Sequence, residues 1–390
     1  MFKALSKHHD LSTLVNVLLF SSLGLIYFSF ALSNIVLGLA IAMVIYSILF
    51  KKIELNLNKH NFVFYTFLIT PFLLTLISVF NSENSSVGFK YLWLRLPILI
   101  IPFIFQFTKV EKQSLIAGLK VFTAFSIVAV LKTLYNALIY RNEDILFDPD
   151  FIFFITIIQH PYFGVFVLIV LVSIIEFDMI KYKYLKISLF ILFTVAIALA
   201  TSRLVYLLFA LIIVFYLIKR FSIKKALVIA ALLSLISVLF LNKNIIAKFQ
   251  TSVQYENSPR LKLWNNAYKV VNSEGDMSFG MGIGDYYKIK KDPYFFEDNS
   301  NGIKGYNPHS QIAEFFVTNG YFGLIVLSIC FIFGIKEIRK QNTFAMITFV
   351  IIVSFAFTEC ILTRQFGVQL YSIFMPLVFM TNFRRTNNET

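Results

Sequence analysis

LSNIVLGLAIAMVIYSILF, residues 32–50, closed at once by Lys51-Lys52, decides the fold class. The run holds no charged residue. At a rise of about 1.5 Å per residue it is long enough, as a helix, to cross a hydrocarbon core of ~30 Å. Comparable runs recur at 12–30, 62–80, 91–107, 114–137, 161–178, 185–201, 203–218, 225–241, 311–335, 343–361 and 368–382. The chain is 58% hydrophobic and only 14% charged, too little charge to clothe a soluble surface of this size. The expectation is an all-α polytopic integral membrane protein with about 12 transmembrane helices. Abundant Phe and Tyr suit lipid-facing surfaces and interfacial belts.

Lysine and arginine set the expected orientation. Lys51, Lys52 and Lys59, then Lys109 and Lys112, then Lys181, Lys183 and Lys186, then Lys219 and Arg220, then Lys336, Arg339 and Lys340 fall in alternate loops. The intervening loops are short or mixed in sign, as with Glu143, Asp144, Asp148 and Asp150 beside Arg141. The positive-inside rule then puts both termini in the cytoplasm. It also accounts for much of the +14 net charge, which in a soluble protein would raise nucleic-acid binding. No Walker-type loop, zinc-ligand cluster or helix-turn-helix signature stands out. The two cysteines, Cys330 and Cys360, lie in apolar runs and read as small hydrophobes, not a disulfide framework. The first apolar run has no small-residue cleavage site and leads straight into a second span, so it reads as an anchor.

One long segment breaks the apolar rhythm. Residues 1–241 carry the first nine expected spans, 311–390 the last three and a tail, and 242–310 form one large extracytoplasmic loop containing short helices. Outside the cytoplasm there is no nucleotide sugar. Chemistry on this loop would need a substrate already energised and delivered in the membrane, such as a lipid-linked diphosphate.

The loop carries two marked sites. Ser258-Pro259 reads as N-cap and N1 of a helix, with Arg260 in its first turn and Leu261, Trp264, Tyr268 and Val271 on one apolar face along the membrane surface. Free N–H groups, the helix dipole and a guanidinium would converge there as an anion site. The plainer reading is a surface arginine on an amphipathic helix. Asn307-Pro308-His309-Ser310 opens the tenth span and repeats the pattern of cap, proline and then a functional side chain in the first turn. His309 could take a proton from a hydroxyl, with Glu314 one turn on to orient it; otherwise it is an interfacial hydrogen-bonding residue. Between the two sites, Gly280-Met281-Gly282-Ile283-Gly284 has the spacing of neither a P-loop nor a Rossmann turn and reads as a tight turn. Residues 285–306 read as a solvated lid or acceptor-facing loop.

Several further residues fall on the expected outer side, against the charge rule: Lys90, Arg95, Lys132, Arg203 and Arg364, with His160 before Pro161. Cations at such depth either snorkel to lipid phosphates or have a partner or a task. For Lys90 and Lys132 the two readings stand level. Arg203 follows Thr201-Ser202 in a tight turn between two spans, which suits a task better.

Taken in order, Thr201-Ser202-Arg203, Pro259-Arg260-Leu261-Lys262-Leu263-Trp264, Gly280-Met281-Gly282-Ile283-Gly284, Asn307-Pro308-His309-Ser310, Asn319-Gly320-Tyr321-Phe322-Gly323, and Glu359 with Gln365 and Gly367 resemble the O-antigen ligase and polymerase family of bacterial glycosyltransferases. The resemblance runs over about 195–370. It implies a GT-C-like enzyme of lipopolysaccharide biosynthesis in the bacterial inner membrane, with its active site on the periplasmic side. Arg203 and Arg260 would bind the diphosphate of an undecaprenyl-diphosphate-linked glycan donor, and His309 would activate the acceptor hydroxyl. Glu314, Trp264, Glu359, Arg364, Arg95 and His160 would support them. The resemblance implies an inverting reaction with no metal and no cofactor. The acceptor would be lipid A–core in a ligase or a second lipid-linked repeat in a polymerase. One large loop and an intact Asn-Pro-His favour the ligase. A lipid-linked sugar flippase is the reading from another class, though no internal repeat between the halves supports it.

Overall fold

A computed structural model describes residues 2–50, 59–107, 111–140, 155–221, 259–289 and 307–380. Among them the chain is helical, with an isolated bridge between Asp276 and Gly280 and no strand. The helices are α1 (Phe2–Leu25), α2 (Phe30–Leu49), α3 (Lys59–Phe80), α4 (Ser85–Leu94), α5 (Leu96–Phe107), α6 (Lys112–Ile139), α7 (His160–Phe177), α8 (Lys183–Leu199), α9 (Arg203–Arg220), α10 (Pro259–Glu274), α11 (Ile283–Ile289), α12 (Gln311–Ile338), α13 (Thr343–Thr358) and α14 (Gln365–Met380). A 3-10 turn, Ile361–Thr363, joins α13 to α14. Six stretches among the described residues are long and apolar enough to cross a membrane, and three shorter apolar helices accompany them. The protein is an all-α polytopic membrane protein. The run expected at 225–241 lies outside the described residues.

The chain divides into two compact units. One joins Met1–Phe122 with Pro259–Thr390; the other is Thr123–Ser258. In the first, α1 pairs with α2, while α5 and α14 lie side by side. Phe20 meets Phe374 edge-on at 5.6 Å, and Phe122 closes the cluster. Small polar groups tie helices where apolar contact offers little discrimination from lipid. Ser33 Oγ donates to the Ser22 carbonyl (2.8 Å), and Gln369 Nε2 donates to Ser33 Oγ (2.8 Å), all buried.

In the second unit α7 is buried along nearly its whole length. Gly164 lets α9 approach closely: a Cβ there would meet Val205 at 2.8 Å. Lys132 is exposed, its ammonium 4.9 Å from the Tyr135 ring centre.

Two breaks differ from the simple reading of runs. The span expected from 91 begins at Ser85 and stops at Arg95, where α4 gives way to α5. Pro97 lacks an N–H and crowds the preceding turn, so the chain bends there. The bend turns Arg95 inward, fully buried, whereas Lys90 stays exposed. The second break is in α12, where Gly320 adopts φ 60°, ψ −154°. The glycine-rich turn 276–282 fills the gap. Met281 and Gly282 N–H groups donate to the Val317 and Thr318 carbonyls (3.0 and 3.3 Å), and Tyr321 and Phe322 N–H groups donate to the Met277 and Ser278 carbonyls (2.9 and 3.0 Å). Four groups that a straight helix would pair internally are thus paired across the break.

α10 is anchored to the same place. Its Leu263, Ala267, Val270 and Val271 are buried, the last three in one cluster with Val79, Met281, Ile283, Tyr286, Tyr287 and Val317. The buried face is therefore not the expected Leu261, Trp264, Tyr268 and Val271. Only Val271 of those is fully inside, while Trp264 and Tyr268 face outward. The Ala267, Val270 and Val271 face rests on protein, and Arg260, Trp264 and Tyr268 are the exposed side of the helix. Tyr286 and Tyr287 in α11 are likewise buried, so the start of the 285–306 stretch is core and not a solvated lid; 290–306 lies outside the described residues.

Candidate active site

His309 stands just before α12, not within its first turn. The cap is Ser310, whose Oγ accepts from the Ala313 N–H (3.4 Å). His309 has φ +45°, a left-handed conformation that costs a non-glycine residue of the order of 1 kcal/mol or more. Three contacts hold it there. The His309 N–H donates to Asn307 Oδ1 (3.2 Å), the Trp264 indole N–H donates to the Pro308 carbonyl (2.9 Å), and the Cys360 thiol donates to the Ser310 carbonyl (3.4 Å).

The side chain of His309 is aimed at Glu359. Its Nδ1 lies 3.0 Å from Glu359 Oε2. With a carboxylate as the acceptor Nδ1 is the donor in this contact, and in a neutral imidazole Nε2 is then the acceptor nitrogen. Glu359 Oε1 lies 3.6 Å from the Arg260 guanidinium. Arg260 is in the first turn of α10, and its side chain is 49% exposed. Such a long, half-wet pair holds Arg260 weakly and leaves it open to a stronger anion. Ser258, the expected cap of α10, lies outside the described residues.

Behind this constellation is a buried ionic network. The Arg95 guanidinium contacts Glu314 Oε1 (2.6 Å), Thr75 Oγ1 (2.6 Å) and the Leu362 carbonyl (3.0 Å), with both charged side chains fully buried. Tyr287 donates its hydroxyl to Glu314 Oε1 (2.9 Å). Burial and the Glu314 carboxylate push the Tyr287 phenol well above its usual range, so it stays a donor. Gln311 donates to Glu314 through Nε2 and accepts the Leu362 N–H through Oε1 (2.8 Å). Glu314 thus faces Arg95 and not His309; Glu359 is the carboxylate at the histidine. The network grips both sides of Leu362, three residues beyond Glu359.

Next to the network opens an apolar cavity of about 450 Å³. Gln311, Ile361 and Leu362 line it at the site end, and Phe331, Phe349 and Phe357 line it along α12 and α13.

The structure therefore brings together His309, Glu359, Arg260 and Trp264, with Arg95 and Glu314 behind them. Arg364 is exposed at the end of the 3-10 turn. Arg203 and His160 belong to the other unit. Arg203 opens α9, exposed, after Thr201 at φ +45° and the Ser202 cap position. His160 opens α7 beside Pro161. Sequence reading missed Gln311, Tyr287, Thr75 and the Leu362 carbonyl. The clue for Gln311 was its place directly after a serine cap, one turn from Glu314. No local pattern marks the others.

Nothing matches the chain among curated proteins. A family model described as O-antigen ligase matches residues 188–328, a stretch that includes Arg203, Arg260 and His309.

Proposed function

We propose that this protein is an O-antigen ligase: it moves a glycan from undecaprenyl diphosphate to a hydroxyl of lipid A–core at the periplasmic face of the bacterial inner membrane. The observation that carries the reading is the His309–Glu359–Arg260 constellation, with His309 and Arg260 inside the family-matched stretch. His309 Nε2 takes the proton as the acceptor oxygen bonds to the anomeric carbon. The bond from that carbon to the diphosphate oxygen breaks, and undecaprenyl diphosphate leaves. Direct attack from the opposite side inverts the anomeric centre. Glu359 holds the imidazole in the tautomer in which Nε2 is the acceptor. The departing diphosphate gathers negative charge, and Arg260 is placed to stabilise it in a bidentate way. The resemblance alone gives Arg203 the same task. The apolar cavity beside Gln311 and Leu362 suits an isoprenoid chain.

The test is a gel of surface lipopolysaccharide from a strain lacking the gene, complemented by His309→Ala, Arg260→Ala and Arg203→Ala. A ligase predicts that all glycan-capped core disappears while long glycan accumulates on the polyprenyl carrier, and that none of the three variants restores capping. Core capped by a single repeat would mean a polymerase instead. Normal capping with all three variants would sink the site assignment, and an unchanged ladder in the deletion strain would favour a flippase or another glycan.

A further inference from the structure

α10 presents Arg260, Trp264 and Tyr268 at four-residue intervals, so the three share one stripe of the helix. The stripe starts at the Glu359 carboxylate and runs about 12 Å away from it, at 1.5 Å per residue. Its aromatic part is held in place. The Trp264 indole N–H is bonded to the Pro308 carbonyl, yet the residue remains 41% exposed. Tyr268, 50% exposed, lies parallel to Phe316 within 7°, and the half-exposed Tyr321 adjoins the same Phe316 ring.

Two occupants suit exposed aromatic rings on a membrane protein: the bilayer interface or a saccharide. An interfacial tryptophan works by setting its N–H among headgroups and its ring among acyl chains. Trp264 has already given its N–H to Pro308. A helix lying in the interface also needs a free apolar face, and that of α10 is buried in protein. A sugar ring asks for something different: an aromatic plane against its flat C–H face and hydrogen-bonding groups at its hydroxyl edge. Asn265 and Lys269, each exposed beside the aromatic residues, offer such groups.

We propose that Trp264 and Tyr268 form a saccharide platform, on which the sugar rings adjoining the donor diphosphate lie during transfer. The assignment to the donor rests on the reading of Arg260 given above; the platform itself does not. Trp264 fixes the His309 loop with its edge and offers its face to the glycan. Tyr268 takes a ring further along.

The chain has two tryptophans, Trp93 and Trp264, so Trp93→Phe leaves Trp264 as the only reporter. The full-length purified Trp93→Phe protein would be titrated with oligosaccharides of one and two repeat units, released by mild acid from the cell's own polyprenyl-linked glycan. A saturable change in Trp264 emission is expected, weakened about tenfold or more by Tyr268→Ala and unaffected by Gly38→Ala in the middle of α2. Absence of any change at concentrations well above those of transfer would overturn the proposal. So would strong quenching of Trp264 by brominated-chain phospholipid in proteoliposomes, the result expected of an interfacial belt. A response only to oligosaccharide from the lipid A–core would overturn the donor assignment. If the oligosaccharide binds but His309→Ala still transfers, the platform stands and the ligase mechanism falls; no binding with a dead His309→Ala means the reverse.

Discussion

Glu359 Oε2 lies 3.0 Å from His309 Nδ1, although fifty positions separate the two residues. One carboxylate thereby favours the proton on Nδ1 of His309, and its second oxygen lies 3.6 Å from Arg260. Glu359→Gln preserves the shape but offers an amide that can turn its N–H₂ toward the ring. The wrong tautomer then competes, and Nε2 is no longer reliably the acceptor. Transfer should fall about 100-fold or more, with the membrane level of the protein unchanged. Initial rates on purified donor and acceptor check this. Activity within a few-fold of the parent would remove Glu359 from the mechanism.

Arg260 should separate activity from stability. Its ion pair is long and half-exposed, so Arg260→Ala should change thermal stability by no more than about 1 kcal/mol. The same change should lower transfer by about 100-fold if the guanidinium stabilises the leaving diphosphate. Arg260→Lys keeps the charge but loses the paired contacts, so it should recover only part of the loss. A melt curve and a rate measured on the same preparation decide it; a large fall in melting temperature would make Arg260 a structural residue.

Long uniform apolar runs are legible because lipid leaves the backbone few choices, and the helices seen lie close to the runs read from sequence. Trp264 and Tyr268 were misplaced for an opposite reason. Periodicity treats every aromatic as apolar, but the smaller Ala267 and Val270 fit the crowded contact with Met281 and Val317, and the larger rings turn outward. The neighbourhood of His309 was read as far as local spacing reaches. Glu314 is one turn away in sequence and was the natural partner. Arg95, more than two hundred residues earlier, takes that carboxylate instead, which only three-dimensional packing decides. The inward turn of Arg95 had a local sign in Pro97, but a proline near a span end has several outcomes.

Arg95 and Glu314 make the best stability test. Both are fully buried, and Glu314 also accepts from Tyr287 and Gln311. Arg95→Met leaves a carboxylate without its counter-charge and should cost about 3–5 kcal/mol. The pair Arg95→Met with Glu314→Leu removes both charges and should recover much of that loss. Unfolding in detergent, followed for the two single variants and the double, gives the coupling. Additive losses would mean that the two charges do not depend on each other.

Gly320 and Gly280 lock α12 to the turn that leads into α11, and neither position tolerates a methyl group. Gly320 has φ 60° and ψ −154°, a region open essentially to glycine alone, and a Cβ there would stand 2.5 Å from the Ser278 carbonyl carbon. A Cβ on Gly280, at φ +75°, would meet the Asn319 nitrogen at 2.5 Å. Backbone strain alone is worth about 1–3 kcal/mol, and the clash with backbone adds to it because neither partner can swing aside. Either alanine should therefore prise the turn from the helix and expose the four backbone groups that it satisfies. α10 is packed on this junction through Met281 and Val317, so the loosening should also reach Arg260 and reduce transfer. Gly38, in the middle of α2 with nothing within 4 Å of its would-be Cβ, is the control: Gly38→Ala should be neutral or stabilising by up to about 1 kcal/mol. Melting temperature and transfer rate measured on the three variants distinguish a specific lock from a general intolerance of change. Equal behaviour of Gly38→Ala and Gly320→Ala would show that the break in α12 is not held by this turn.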